Sequence, residues 1–272
     1  MAAGTAEIGG HRFEWGLRTY VMGIVNVTPD SFSGDGLAGD PEAAIAQGLR
    51  MASEGADILD VGGESTRPGH TPVDAAEEMA RTVPVVRRLA AAAGVPVSID
   101  TSKLAVAEAA VEAGAVIVND VWGLQRSPGL AGLAARHGLG LVLMHNQRGT
   151  EYRDLIGEIV SVLRRAVGAA RAAGVSRERI IVDPGIGFGK TPDQNLVVLR
   201  RLEEIVALGP PLLIGTSRKS FIGHILATVP GERMEGTAAT VVASILRGAD
   251  IVRVHDVKQM VGVARMADAL RG

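Results

Sequence analysis

Cysteine is absent from the sequence, which excludes disulfides, thiolate metal sites and cysteine nucleophiles together. No apolar run approaches the roughly 18 consecutive residues that a membrane-spanning helix needs. Neither charge is in excess, because 28 lysines and arginines face 30 aspartates and glutamates, for a net charge of −2. That balance argues against a protein that holds nucleic acid mainly by neutralising phosphates. The N-terminal stretch MAAGTAEIGGHRFEWG lacks a cationic start followed by an apolar run, so we expect a soluble cytoplasmic protein.

The composition is that of an ordinary folded core. Of the 272 residues, 47% are hydrophobic and 21% are charged, which excludes a disordered or collagen-like chain. No linker or low-complexity tract interrupts the sequence, so a single domain over residues 19–272 is predicted. Residues 1–18 are predicted to be an N-terminal extension, with HRFEW as a candidate hairpin below the main domain.

Short aliphatic runs alternate with alanine-rich helical stretches along the whole chain. Continuous Val/Ile/Leu runs are typical of parallel strands that are buried on both faces. Eight such strands and eight helices in about 250 residues predict a (β/α)₈ barrel. A doubly wound sheet is the alternative, but no G-x-G-x-x-G follows the first strand. The predicted strands are 19–25, 57–61, 95–100, 115–120, 139–145, 179–183, 211–215 and 250–255.

Polar or charged residues end or closely follow every predicted strand, whereas the strand starts are mostly Gly, Ala, Val and Pro. Active sites of such barrels lie at the C-terminal ends of the strands, so this asymmetry predicts a catalytic rim. Arg67, Lys219, Arg253 and His255 place positive charge on that rim, with the hydroxyl of Thr66 beside them. We therefore expect an anion there, such as a phosphate, a pyrophosphate or a carboxylate.

Three further strand ends carry Asp100, Asn119 and Asp183. Two carboxylates and an amide predict recognition of a flat heterocycle that is rich in N–H donors, and Lys219 could contact the same ring. The sequence has no cysteine and no H-x-H or H-E-x-x-H motif, so a transition-metal site is not expected. A Mg²⁺ ion that bridges a substrate phosphate to one oxygen ligand of the protein is compatible with the sequence. As purely structural alternatives, the two aspartates could cap the loops that follow them.

Four polar residues near the rim have plain structural interpretations. His145 could be a hydrogen-bonding core histidine, and Asp120 could cap the turn that follows it. Glu64 is expected to pair with an arginine inside the barrel. Lys103 starts a helix and is expected to be exposed to solvent.

A set of sequence motifs runs along nearly the whole chain. They are MGIVNVTPDSFS (22–33), DVGGESTRPG (60–69), VSIDTSK (97–103), VNDV (118–121), LMH (143–145), DPGIGFGK (183–190), GTSRKSFIG (215–223) and RVHD (253–256). In these motifs and in their order, the chain resembles the dihydropteroate synthase family. The resemblance implies a (β/α)₈ barrel, usually a homodimer, that joins a dihydropterin carrying a CH₂-pyrophosphate to 4-aminobenzoate in folate synthesis.

The resemblance assigns the pterin end of the site. Asp100, Asn119 and Asp183 are similar to the polar set of the pterin pocket. Asp183 would accept hydrogen bonds from the aminopyrimidine edge of the ring, and Asp100 would lie near the ring system. Lys219 resembles the lysine that contacts the pterin.

The resemblance also assigns the pyrophosphate end. Asn26 resembles the residue that helps to hold Mg²⁺ on the pyrophosphate, which makes Mg²⁺ the expected cofactor. Thr66 resembles a pyrophosphate contact, and Arg67 beside it would order the loop or the anion. Arg253 and His255 resemble the anion site for the β-phosphate.

For the second substrate, Ser220 resembles the residue near the aminobenzoate carboxylate, where sulfonamide drugs compete, and Phe188 resembles part of that pocket's wall. Two departures from the family stand out. The first loop reads SFSGDG, which shifts Asp35 by one position, and Trp122 stands where a small residue is common.

Three alternatives to a synthase follow from the same residues. A methyltetrahydrofolate-dependent methyltransferase would share the pterin pocket but would lack the pyrophosphate site. A non-catalytic pterin-binding paralogue is compatible with the altered first loop. A Schiff-base aldolase would use Lys219 and would be trapped by borohydride with a carbonyl substrate.

Overall fold

A computed structural model describes residues 4–28, 40–64 and 73–271 of the chain. In these ranges, a hairpin of two strands is followed by eight strands and ten α-helices. The strands are β1 (Gly4–Ile8), β2 (His11–Trp15), β3 (Tyr20–Asn26), β4 (Ile58–Gly62), β5 (Val97–Asp100), β6 (Ile117–Asp120), β7 (Gly140–Met144), β8 (Ile180–Asp183), β9 (Leu213–Ile214) and β10 (Ile251–Val254). The helices are α1 (Pro41–Ser53), α2 (Ala75–Ala92), α3 (Leu104–Glu112), α4 (Gly129–His137), α5 (Leu155–Ala172), α6 (Pro192–Arg200), α7 (Leu202–Val206), α8 (Ser220–Leu226), α9 (Met234–Leu246) and α10 (Val257–Arg271).

Strands β3 to β10 form one parallel eight-stranded sheet in the order β8-β7-β6-β5-β4-β3-β10-β9. A parallel bridge between Val182 and Leu212 joins the two ends of that sheet, so the sheet closes on itself. The described part of the chain is therefore a (β/α)₈ barrel, and the predicted fold class is confirmed. Aliphatic side chains inside and behind these strands are fully buried, which explains why the strands read as continuous apolar runs.

The helices begin where the sequence supplies side-chain oxygens for their unpaired N–H groups. Asp40 accepts from two backbone N–H groups of the first turn of α1, and Pro41 follows it, as predicted. Asp74 and Asp154 cap α2 and α5 in the same way. Thr191 forms a reciprocal capping box at the start of α6.

The antiparallel hairpin β1–β2 packs across the N-terminal end of the barrel. Its Phe13 and Trp15 rings lie with Tyr20 in an aromatic cluster whose ring centroids are 5.0 to 5.4 Å apart. The indole N–H of Trp15 donates to the carbonyl of Glu178 at 3.1 Å, on the far side of the barrel. The end of the barrel opposite the predicted rim is therefore filled by apolar side chains.

Two helical details differ from the sequence-based expectation. The sequence over 193–209 predicts one helix, whereas the structure divides it at Arg201, which has a non-helical conformation between α6 and α7. Helix α8 was not predicted, because seven residues that include Gly223 give too short a pattern to recognise. Among the described residues, no helix combines the length and the apolarity that crossing a membrane requires.

Candidate active site

The C-terminal ends of the parallel strands meet at one rim of the barrel, because all eight strands run in the same direction. The last residues of several strands are polar: Asn26 ends β3, Asp100 ends β5, Asp120 ends β6 and Asp183 ends β8. Arg253 lies one residue before the end of β10. Amide, carboxylate and guanidinium groups from different strands therefore lie together at the C-terminal mouth of the barrel.

A guanidinium held between two carboxylates forms the first half of the site. Arg253 donates through Nε to Oδ2 of Asp60 at 2.6 Å and through Nη2 to Oδ2 of Asp100 at 2.9 Å. The Nδ2 group of Asn119 donates to the same Asp60 oxygen at 2.9 Å. Three of the predicted site residues, Asp100, Asn119 and Arg253, are thereby linked through Asp60, a residue that the sequence analysis did not single out.

Burial shapes the protonation of this network. Burial raises the pKa of Asp100 to about 7, with the Arg253 charge opposing the shift and the Asp60 charge adding to it. For Arg253, burial lowers the pKa, but Asp60 and Asp100 outweigh it, so the pKa is raised. Arg253 therefore stays charged while Asp100 can exchange a proton near neutral pH.

The second half of the site is formed by Asp183, Lys219 and Phe188. Asp183 accepts from the backbone N–H of Gly185 at 2.7 Å, and burial raises its pKa against the opposing charge of Lys219. The Lys219 ammonium donates to the carbonyl of Ile186 and lies 4.5 Å from the centre of the Phe188 ring. Burial lowers the pKa of Lys219 to about 8, with Asp183 opposing the shift.

The glycine-rich loop between β8 and α6 is organised around Lys190. Its ammonium donates to the carbonyls of Gly185 at 2.9 Å and Phe188 at 3.0 Å, and it lies 3.1 Å from Nδ1 of His145. Burial lowers the pKa of Lys190 to about 7, and burial next to Lys190 lowers that of His145 to about 3. His145 is thus a neutral core residue that supports the loop, in agreement with its structural interpretation.

The remaining predicted residues lie around this centre. His255 contacts Ser217 through Nδ1 at 2.9 Å. Ser220 is exposed at the start of α8, directly after Lys219. Asn26 is half-buried at the end of β3. Three positions of the sequence analysis, Thr66, Arg67 and Asp35, lie outside the described residues.

Lys103 is not a solvent-exposed lysine, so that expectation is wrong. Its ammonium donates to both Glu64 and Glu78, and the Glu78 side chain is buried. The two glutamates raise the pKa of Lys103 against the effect of burial. Glu64 accordingly has a lysine among its partners.

Asp120 and Trp122 shape the loop after β6. The Asp120 carboxylate accepts from the backbone N–H groups of Trp122 at 2.9 Å and Leu124 at 2.6 Å, so it caps a turn. The guanidinium of Arg126 stacks 3.8 Å from the Trp122 ring. The side chains of Trp122 and Arg126 line an open cleft that reaches Asp100.

Sequence reasoning missed Asp60, Glu78 and Lys190. A carboxylate inside the aliphatic run DILDV was the available signal for Asp60, because a charge in a buried strand needs a partner. Each of the three has a partner in a distant segment, so the sequence alone did not indicate these contacts. Among the described residues, no group of three His, Asp or Glu side chains could hold a metal ion.

A closed parallel barrel with buried carboxylates and cations at its C-terminal rim defines a TIM-barrel enzyme. The family described as pterin binding enzyme matches residues 22–255. Dihydropteroate synthase from Bacillus subtilis (strain 168) is 50% identical over 253 residues, which cover 93% of this chain and 89% of that relative. The chain therefore belongs to the pterin-binding enzyme family and, within it, to the dihydropteroate synthases, which are transferases of folate biosynthesis.

Two solved structures lead to the same family assignment. Dihydropteroate synthase from Clostridium difficile, in the presence of pteroic acid, is 49% identical with a TM-score of 0.90, and the match covers 95% of this chain and 98% of that chain. Dihydropteroate synthase from Xanthomonas albilineans, with 4-aminobenzoic acid, is 42% identical with a TM-score of 0.93, and the match covers 100% of this chain and 99% of that chain.

Proposed function

We propose that this chain condenses 6-hydroxymethyl-7,8-dihydropterin pyrophosphate with 4-aminobenzoate to give 7,8-dihydropteroate and pyrophosphate. One observation carries the proposal: two largely buried carboxylates and an amide (Asp100, Asp183 and Asn119) share one barrel mouth with two partly buried cations, Lys219 and Arg253. This set matches a flat, hydrogen-bonding ring that carries an anionic group. The named ligands of the two solved relatives, pteroic acid and 4-aminobenzoic acid, are consistent with it.

The pterin ring would bind between the two halves of the site. Asp183 accepts one backbone N–H in the described structure, so its second oxygen can accept from the aminopyrimidine edge of the ring. Asp100 has a buried Oδ1 without a hydrogen-bond partner among the described residues, which suits a ring N–H donor. Lys219 would donate to a ring acceptor, which its three N–H groups allow.

The reaction needs no enzyme nucleophile. The bond between the pterin methylene carbon and the pyrophosphate oxygen breaks, and its electron pair leaves with the pyrophosphate. Positive charge then develops on the methylene carbon and spreads into the ring, where the Asp100 carboxylate can stabilise it. The amine of aminobenzoate forms the new C–N bond with its lone pair and releases one proton.

The departing pyrophosphate would be bound by Arg253 and His255, together with Thr66 and Arg67 on the second loop. Arg253 already pairs with two carboxylates, so its role would be to orient the anion as well as to supply charge. The Nη1 group of Arg253 has no hydrogen-bond partner in the described ranges and can reach toward the mouth.

The described residues fit a Mg²⁺ ion that enters with the substrate's pyrophosphate. Mg²⁺ usually keeps several waters and takes few protein ligands when phosphates are present. Asn26 would supply one amide oxygen from the end of β3. When bound, Mg²⁺ would neutralise charge on the leaving group.

The second substrate would bind at the outer edge of the site. Phe188 presents an aromatic ring beside Lys219, and Ser220 is an exposed hydroxyl at the next position. The ring of aminobenzoate would pack on Phe188, and its carboxylate would lie near Ser220. This arrangement keeps the amine on the side of the pterin methylene.

We further propose that residues 19–272 act as one pterin-binding domain and that the chain forms a homodimer. Exposed apolar side chains lie at the end of α8 and in the segment that follows it. They are Ile225, Leu226 and Val229, which are 48 to 61% exposed. Such a surface is typical of an interface between protein chains.

A synthase assay tests the proposed function directly. Purified protein should release pyrophosphate only when dihydropterin pyrophosphate, 4-aminobenzoate and Mg²⁺ are all present. Lys219→Ala and Asp183→Ala should each raise KM for the pterin substrate roughly tenfold to hundredfold, because each removes a charge-assisted hydrogen bond. Lys258→Ala on the exposed face of α10 is the control. Absence of aminobenzoate-dependent release would overturn the synthase assignment, and near-normal KM in both variants would overturn the site.

A further inference from the structure

Asp60 is a fully buried carboxylate in the middle of a barrel strand. Its neighbours in β4 are Ile58, Leu59, Val61 and Gly62, and all of them are buried as well. A charge at such a position costs free energy unless it is paired. Replacing a buried ion pair by apolar residues is often neutral or stabilising, so stability alone does not explain why a carboxylate stands there.

The contacts of Asp60 connect two other strands of the site. One oxygen, Oδ2, accepts from Nε of Arg253 on β10 at 2.6 Å and from Nδ2 of Asn119 on β6 at 2.9 Å. Through the other side of the guanidinium, Arg253 reaches Asp100 on β5 at 2.9 Å. A single carboxylate oxygen therefore sets the relative placement of three groups that surround the proposed pterin site.

We infer that Asp60 is a positioning residue of the pterin pocket, which fixes the guanidinium of Arg253 and the amide of Asn119 relative to Asp100 without itself touching the substrate. The inference rests on the proposed function. Because both donors to Asp60 are held at one atom, Arg253 and Asn119 are fixed as a unit. Their remaining N–H groups and the Asn119 oxygen stay available to a ligand.

Asp60 also sets the charge balance around Asp100. The charged groups that act on Asp100 include the carboxylates of Asp60, Glu78 and Asp120, which the cations Arg253 and Lys219 oppose. Removing the Asp60 charge would abolish its repulsion of the Asp100 carboxylate. It would also leave Asp100 as the carboxylate that pairs with Arg253. Both changes act in the same direction, because each favours the ionised form of Asp100.

The test compares Asp60→Asn with Asp250→Asn. Asp250 is a matched control, because it is also a buried carboxylate with one partnered and one unpartnered oxygen, but it directly precedes β10 at the opposite end of the barrel. The pKa of Asp100 is measured in the substrate-free protein by carbon-13 NMR of labelled aspartate carboxyls, with the signal assigned through Asp100→Asn. KM for dihydropterin pyrophosphate and the thermal midpoint are measured on the same samples.

For Asp60→Asn we expect the pKa of Asp100 to fall by roughly one pH unit and KM for the pterin substrate to rise about tenfold or more. Asp250→Asn should change the thermal midpoint while leaving both quantities as in the wild type. An unchanged Asp100 pKa in Asp60→Asn, or equal shifts in both variants, would overturn the inference. Absence of turnover in the wild type would instead count against the proposed function, since the NMR titration needs no substrate.

Discussion

Single residues of this barrel act through partners that are distant in the sequence. Asp60 and Arg253 are 193 positions apart, and Lys190 and His145 are 45 positions apart. The rim residues Asp100, Asn119 and Asp183 could be predicted, because each follows a recognisable apolar strand. Asp60 and Lys190 could not be assigned a role in the same way, because only the closed barrel brings their partners to them.

Lys190 allows a prediction about stability and pH. Burial lowers its folded-state pKa to about 7, whereas the unfolded chain has the ordinary value of 10.5. Between these values the unfolded state binds more protons, so the stability that Lys190 contributes rises with pH. We expect the unfolding free energy of the wild type, minus that of Lys190→Met, to increase by about 1–2 kcal/mol from pH 7 to pH 9.

Denaturant unfolding at several pH values measures this difference. Lys258→Met is the matched control, because Lys258 is exposed on α10 and its removal should give a difference that does not vary with pH. A flat or shrinking difference for Lys190→Met would contradict the assigned burial of the ammonium. The measurement is independent of any substrate.

At the scale of elements, local patterns predicted most strands and helices of the barrel. Continuous aliphatic runs indicated the parallel strands, and Asp40 followed by Pro41 indicated the start of α1. The break at Arg201 and the short helix α8 escaped prediction, because packing rather than local pattern decides both. Loop geometry between β8 and α6 was likewise beyond the sequence, although its glycines indicated a turn.

That loop yields a prediction from backbone geometry. Gly185 has φ +69°, and a Cβ built on it would lie 2.0 Å from the carbonyl oxygen of His145. Gly185→Ala should therefore destabilise the protein by about 2–4 kcal/mol and raise KM for both substrates, since strain and a clash combine. Gly262, on the exposed face of α10, would meet no atom within 4 Å.

Gly262→Ala is accordingly expected to stabilise the protein by about 0.5–1 kcal/mol with unchanged kinetics, because alanine is the better helix former. Denaturant unfolding and steady-state kinetics on both variants test the pair. If Gly185→Ala and Gly262→Ala had equal unfolding free energies and equal kinetic constants, the β8–α6 loop would tolerate a different backbone path.

At the scale of the whole molecule, the two ends of the barrel have different tasks. The hairpin fills the N-terminal end with aromatic and aliphatic side chains, and the C-terminal end carries the charged groups. A net charge of −2 thus coexists with partly buried cations at one mouth. The class of substrate could be predicted from that asymmetry, whereas the apolar surface at the end of α8 became visible only in the folded chain.

The proposed homodimer makes the last prediction. Val229 is 61% exposed within the apolar cluster beside α8, so Val229→Arg would place a charge in the interface of a dimer formed there. We expect the wild type to sediment as a dimer and Val229→Arg as a monomer at micromolar concentration. Leu17→Arg is the control, because Leu17 is 71% exposed at the hairpin end and should leave the dimer intact. A dimeric Val229→Arg protein would exclude this surface, and a wild-type monomer would exclude the homodimer itself.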